Sequence, residues 1–142
     1  MLLLLAALAI APVNHTIEVT YHLSTHHAHD YVGEGEEFNS KHRFIGLEYR
    51  EGDVGFAAAT FVNSYFKRSY QLDYAKYWQV IDNVEASVRV GVVSGYSEFQ
   101  PCRGQNICPT VTAGLSYTAF DYVVPKVSVG FGFAALSFSA RF

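Results

Sequence analysis

The stretch Thr16-Ile17-Glu18-Val19-Thr20-Tyr21-His22-Leu23-Ser24 decides the fold. Ile17, Val19, Tyr21 and Leu23 alternate with Thr16, Glu18, Thr20, His22 and Ser24. In a strand successive side chains point to opposite faces, so a period of two gives one apolar and one polar face. The pattern recurs along the chain. Strands are predicted at about 43–50, 54–63, 68–80, 84–96, 110–117, 119–124 and 133–142, and no stretch sustains a helical period. Glu51-Gly52-Asp53 and Asp82-Asn83 read as tight turns, and the polar stretch from His27 to Ser40, with Gly33 and Gly35, as a long loop.

Eight strands of about ten residues, with short and long connections alternating, are the signature of an antiparallel up-and-down transmembrane β-barrel. Composition agrees. Of 142 residues 50% are hydrophobic and only 16% charged, with ten Tyr and eleven Phe, whereas soluble domains carry about 25% charge. The tyrosines and Trp78 are expected to form aromatic girdles at the bilayer interfaces. The last strand places Leu136, Phe138, Ala140 and Phe142 on one face, a closing pattern similar to the signal read by the barrel-assembly machinery. The rival is a soluble eight-stranded barrel of the lipocalin type, which uses the same alternation with the apolar face turned inward. Sequence parity does not say which face is which.

Met1 to Ala11 is an apolar, uncharged run, too short for a membrane helix. It ends in the small-x-small patterns Ala7-Leu8-Ala9 and Ala9-Ile10-Ala11 and reads as a cleaved signal peptide, although it lacks the basic start of a complete one. A buried first strand is the other reading. Its Leu and Ala favour helix over strand. Residues 12–142 then form a single barrel domain in the outer membrane of a Gram-negative cell. Cys102 and Cys108 flank a turn-rich loop, and in an exported chain such a pair is expected to form a disulfide, against two free thiols. Two cysteines do not complete a zinc site, and none is expected. A formal charge of −3 without a basic patch argues against a nucleic-acid partner.

The up-and-down topology brings the end of strand one, near His26, to the same rim as the end of strand three, near Asn63 and Ser64. His26 is a candidate general base, since imidazole titrates near neutrality; His22, Ser24 and His26 would share one strand face. A polar strand end, or a metal ligand set among His22, His26, His27 and His29, are the other readings. Ser64 is a candidate nucleophile or oxyanion donor, or an ordinary turn residue. Asn63 is no base but has N–H groups to offer an oxyanion. Pro109 and Pro125 are read as strand-end residues near the rim that open gaps in pairing, or simply terminate strands. Glu34, Glu36 and Glu37 read as a solvated loop, or as a site for cations bridging lipopolysaccharide phosphates.

At these residues the chain resembles the lipid A palmitoyltransferase (PagP) family. Leu23-Ser24-Thr25-His26, with Tyr31 five residues on, is similar to the motif around that family's catalytic histidine. Phe38-Asn39 is similar to its Tyr-Asn, and Phe61-Val62-Asn63-Ser64-Tyr65 to its Phe-Lys-Asp-Ser-Trp. Phe120-Asp121-Tyr122-Val123-Val124-Pro125 resembles its seventh-strand segment, and Phe133 to Phe142 its closing strand. The version with Asn63 in place of Asp is of a kind seen in marine bacteria and phages. The resemblance implies an outer-membrane acyltransferase moving a palmitoyl-type chain from a phospholipid donor to lipid A, with no diffusible cofactor, acting as a monomer. It assigns catalysis to His26, Ser64 and Asn63, with His27 the fallback if the alignment slips by one, and lateral lipid access to Pro109 and Pro125. The alternative is a non-catalytic structural or lipid-binding barrel.

The placement is checked by fractionation. The expressed protein should sediment with outer membranes and run faster unheated than boiled on a denaturing gel; recovery as a soluble periplasmic protein would contradict it.

Overall fold

The computed structural model describes residues 15–27, 39, 41–97 and 102–142. The signal-peptide segment and most of the predicted long loop lie outside them. The strands are β1 (His15–His27), β2 (Ile45–Glu51), β3 (Val54–Val62), β4 (Arg68–Ile81), β5 (Val84–Ser94), β6 (Ile107–Tyr117), β7 (Val123–Gly130) and β8 (Phe133–Arg141). Each is antiparallel to its sequence neighbour, and β8 returns to pair with β1, from Glu18↔Arg141 to His27↔Phe133. The sheet is therefore a closed barrel without free edges.

One end carries the connections 52–53, 82–83 and 118–122 and is called the turn end. Gly52 and Asn83 take positive φ there, 57° and 61°, the conformation in which Gly and Asn meet least steric cost. The opposite, loop end carries residues 39, 41–44, 63–67, 95–97, 102–106 and 131–132.

The alternation resolves in one sense all round. Leu47, Leu72, Tyr74, Val90, Val111, Leu115, Val127 and Leu136 point outward and are exposed, Leu72 by 61% and Val111 by 64%. Glu18, Glu48, Ser69, Ser87, Ser116, Lys126, Ser137 and Ser139 are buried inside, Glu18 to 1% and Glu48 to 2%. A soluble barrel has the reverse arrangement. An apolar outer surface around a polar interior is stable only in lipid, so the chain is a transmembrane barrel and the lipocalin reading falls.

Three expectations need correction. Strand seven was expected at 119–124, but 118–122 form the turn and the strand is Val123–Gly130. Tyr117 and Phe120 stack edge-on there at 5.8 Å, and the Tyr122 carbonyl accepts from Arg141 N at 2.9 Å. The true alternation, Val127 and Val129 out and Lys126 and Ser128 in, follows Pro125, which read as a terminator. Tyr77 belongs to no girdle: it points inward at 2% exposure, while Tyr49, Trp78, Tyr117 and Tyr122 are exposed outside. The Cys102–Cys108 disulfide forms as expected. It is buried rather than superficial, packed with Phe61 and Val93 against Phe44 and Tyr96.

Outward polarity is the decisive property. Val90→Arg should cost about 2–4 kcal/mol of unfolding free energy in a bilayer, the penalty for a cation near the midplane. Inward Ser87→Ala should be nearly silent. Urea titration in lipid vesicles measures both; equal tolerance of the two would contradict the face assignment.

Candidate functional site

The barrel interior divides into two halves. Toward the turn end it is filled by charge. Glu18 accepts from Lys126 Nζ and from Arg141 Nη2 and Nε at 2.7 and 3.0 Å. Glu48 accepts from the Tyr77 hydroxyl and from Arg89 Nη2 at 2.5 Å. Arg50 grips Glu85 with both terminal nitrogens, at 2.6 and 2.5 Å, while its guanidinium lies 3.9 Å over the Tyr77 ring. Asp73, at mid-height, accepts from Gln71 Nε2 at 2.8 Å. Gly55 leaves room for this packing, since a Cβ there would lie 2.2 Å from Glu48 Oε1. Sequence reading did not identify the network: its members are far apart in the chain and become neighbours only through closure.

Toward the loop end the interior opens into a largely apolar cavity of about 250 Å³. Its walls include Phe44, Phe61, Val93 and Phe133, and its polar groups include His22, His27, His42, Ser64 and Tyr96. The His22 ring stacks on Phe44 at 3.9 Å between centroids.

The cavity corrects the histidine assignment. β1 and β8 shift register between His22 and Ser24, leaving Leu23 as an extra residue. Such a bulge inverts the facing of everything beyond it. Before it His22 points inward; after it Thr25 and His27 line the cavity while Ser24 and His26 are exposed. The predicted common face of His22, Ser24 and His26 does not exist. Of His26 and His27 it is the fallback, His27, that faces inward.

His27 has a partner that sequence reading passed over. His42, buried in the segment before β2, places Nδ1 2.9 Å from the Val62 carbonyl and Nε2 3.3 Å from His27 Nε2. Donation from Nδ1–H to Val62 leaves His42 Nε2 as an acceptor, so His27 donates through Nε2–H. Burial, with the His27 ring beside it, pushes His42 down to about 4, so it is neutral at pH 7. His27 Nε2 also lies 3.2 Å from the Asn39 carbonyl.

Ser64 is where the topology predicted it, at the loop end, buried and lining the cavity. Its hydroxyl and backbone hydrogen-bond to the Tyr96 phenol, which burial pushes up to about 12. Asn63 is not available to a ligand. It is fully buried, its Nδ2 donates to Ser69 Oγ at 3.0 Å and the Gly95 carbonyl at 2.7 Å, and its Oδ1 accepts from Tyr65 N and Lys67 N, both at 2.9 Å. All its capacity goes to fixing the turn that carries Ser64. Asn39 does the same across the mouth, donating through Nδ2 to the Val62 and Asn63 carbonyls at 3.2 and 3.1 Å.

The two prolines do not share a rim. Pro109 lies in the loop-end part of β6 and Pro125 at the turn-end start of β7, on either side of one seam. The β6–β7 ladder runs only from Thr112↔Gly130 to Ser116↔Lys126. Above it Cys108, Pro109, Thr110 and Val111 line the cavity opposite Phe131 to Phe133. Among the described residues no group of three or more His, Cys, Asp or Glu forms a metal set.

No family model matches the chain, and no curated protein does. Among solved structures, a de novo designed transmembrane β-barrel superposes with a TM-score of 0.60 at 12% identity, over 93% of this chain and 98% of that one. Neisserial surface protein A (NspA) gives 0.48 at 14% identity, over 91% and 96%. Ail, the attachment invasion locus protein of Yersinia pestis, solved with the heparin analogue sucrose octasulfate, gives 0.45 at 16%, over 90% and 96%. The match to the designed barrel shows the fold: eight strands closed into a transmembrane barrel.

The spent state of Asn63 sets a test. Asn63→Asp removes two donors and sets a carboxylate oxygen against the Gly95 carbonyl. It should lower stability by about 1–3 kcal/mol, the cost of unsatisfied buried polar groups. Denaturant titration in vesicles reads the loss. Unchanged stability would show that the turn does not depend on these bonds.

Proposed function

We propose that the chain is a lipid-binding β-barrel of the bacterial outer membrane that holds one acyl chain in its loop-end cavity. The observation that carries this reading is the apolar cavity set against the β6–β7 seam, where the ladder is missing above Thr112. A hydrocarbon chain is the ligand such walls favour, since its burial stabilises by about 0.8 kcal/mol per CH₂. A chain arriving from the bilayer meets the cavity through the side wall without crossing the charged half. In outer-membrane barrels short turns face the periplasm and longer loops the exterior, which puts the cavity at the level of the outer leaflet.

A second reading, acyl transfer from phospholipid to lipid A, is favoured by one observation. His27 and Ser64 both face the cavity, at the two positions where the chain is similar to the palmitoyltransferase motifs, allowing the slip from His26. In that reading His27, whose Nε2–H is donated to His42, takes the proton of the attacking hydroxyl at Nδ1. Ser64 with Tyr96 holds the ester oxygen as charge builds, and the phospholipid ester bond breaks to release a lysophospholipid whose oxygen recovers that proton.

Both readings are tested together. Native mass spectrometry of the purified protein should show one retained acyl lipid. Thr112→Trp, which fills the cavity, should abolish it, and Leu115→Trp on the outer face should not. Absence of any retained lipid in the unmodified protein would sink the binding reading. Mass spectrometry of lipid A from expressing cells should show one added acyl group if transfer occurs, lost in His27→Ala and in Ser64→Ala. Unaltered lipid A leaves lipid binding as the function.

A further inference from the structure

Three atoms with lone pairs meet where the end of β1 faces the segment before β2. His42 Nε2 lies 3.3 Å from His27 Nε2, and the Asn39 carbonyl oxygen lies 3.2 Å from the same nitrogen. His42 Nε2 is an acceptor, because the Nδ1–H of that ring goes to the Val62 carbonyl at 2.9 Å. The Asn39 carbonyl can only accept. The single Nε2–H of His27 is therefore shared between two acceptors. Both contacts stand at or beyond the long end of the hydrogen-bond range, so neither acceptor receives a full bond.

Both acceptors are held in place. His42 is buried, and its bond to Val62 fixes the ring with Nε2 turned to His27. A carbonyl behind the second ring nitrogen is the usual support of a metal-ligating imidazole. Asn39 is also buried and is pinned through its other polar groups. Its amide donates to the Ser64 carbonyl at 3.0 Å, its Nδ2 to the Val62 and Asn63 carbonyls, and its Oδ1 accepts from Lys41 N at 2.9 Å. The spacing suits a metal ion in place of the shared proton. Two zinc–nitrogen bonds of about 2.0–2.1 Å at a tetrahedral angle set their nitrogens about 3.3–3.4 Å apart, and a nitrogen and an oxygen nearly the same. The observed 3.3 and 3.2 Å agree to within about 0.2 Å. Two imidazoles and one neutral oxygen suit a borderline ion such as zinc, whereas Ca²⁺ and Mg²⁺ call for more oxygen ligands.

We infer that His27 Nε2, His42 Nε2 and the Asn39 carbonyl form a site for a divalent transition-metal ion of the zinc type at the loop end of the cavity. Two of its ligands are side chains and the third is backbone; His22, stacked on Phe44, stands outside the set. The remaining coordination falls to water. On binding, the proton of the His27 ring passes from Nε2 to Nδ1, so the imidazole stays neutral and the ring loses no proton. His42 binds through its lone pair and keeps Nδ1–H on Val62. The inference rests on neither acyl binding nor acyl transfer. It opposes the second, since a His27 protonated at Nδ1 has no place for a hydroxyl proton.

The test uses the untagged full barrel in nanodiscs, stripped with chelator and titrated with zinc by calorimetry. One ion should bind per barrel. His27→Gln and His42→Gln should each weaken binding by more than about tenfold, the least that loss of even a supporting group costs a metal site. His26→Gln/His29→Gln should leave binding unchanged, and an excess of Mg²⁺ should not displace the zinc. Native mass spectrometry reads zinc and retained lipid separately, so failure of one reading leaves the other standing. Absence of zinc binding would overturn the inference, as would full affinity in either single variant or loss of affinity in the double variant. If a single variant does not fold, nitrogen NMR of the histidine rings in the unmodified barrel decides. Zinc should move the His27 and His42 signals and leave those of His15 and His26 in place; unmoved His27 and His42 rings would overturn the site.

Discussion

A backbone that crosses lipid must satisfy every N–H and C=O within itself, because hydrocarbon offers no partner. Closure of β1 on β8 meets that requirement here and abolishes edges. It also fixes what the side chains do. With the apolar face committed to lipid, the other face of each strand is enclosed in a space too narrow for bulk water. Whatever polar groups that face carries must find partners across the barrel.

The charged half is the consequence. Glu18, Glu48, Asp73 and Glu85 stand against Arg50, Arg89, Lys126 and Arg141, so the formal charges cancel. No buried side-chain N or O among the described residues lacks a partner. Such pairs add little net stability over apolar packing, yet losing one member leaves a buried charge and costs about 3–5 kcal/mol. The network therefore acts chiefly as a constraint: it plugs the turn-end half and holds the strands in one register. The loop-end half needs no such filling, because Phe44, Phe61, Val93 and the disulfide wall it with apolar surface. The described interior is thus an ion-paired half beneath an apolar chamber.

The wall of that chamber is weakest where pairing stops. β5–β6 pairs along the whole of β6, from Val84↔Tyr117 to Ser94↔Ile107, whereas β6–β7 pairs only over its middle. Pro109 and Pro125, which cannot donate to a ladder, stand beyond either end of that short ladder. The seam and the cavity are thus two aspects of one local shortage of backbone hydrogen bonds.

The sequence alone determined the strand count, most strand bounds, the two tight turns and the disulfide, because alternation, turn chemistry and cysteine spacing are local properties. It also placed Ser64 at the right rim, since rim position follows from strand parity. It did not determine which face is buried, since alternation is symmetric between a lipid-facing and a water-facing barrel; only the exposure of Leu72 and the burial of Glu48 decide it. Nor did it yield strand seven beyond Pro125. The single bulged residue at Leu23 moved His26 out and His27 in, and nothing local in Leu23-Ser24-Thr25 announces it, because a bulge is a mismatch between β1 and a partner more than a hundred residues away. His42 and the charge network were illegible for the same reason: their partners are chosen by which strands closure brings face to face, and that is a property of the barrel and of no segment within it.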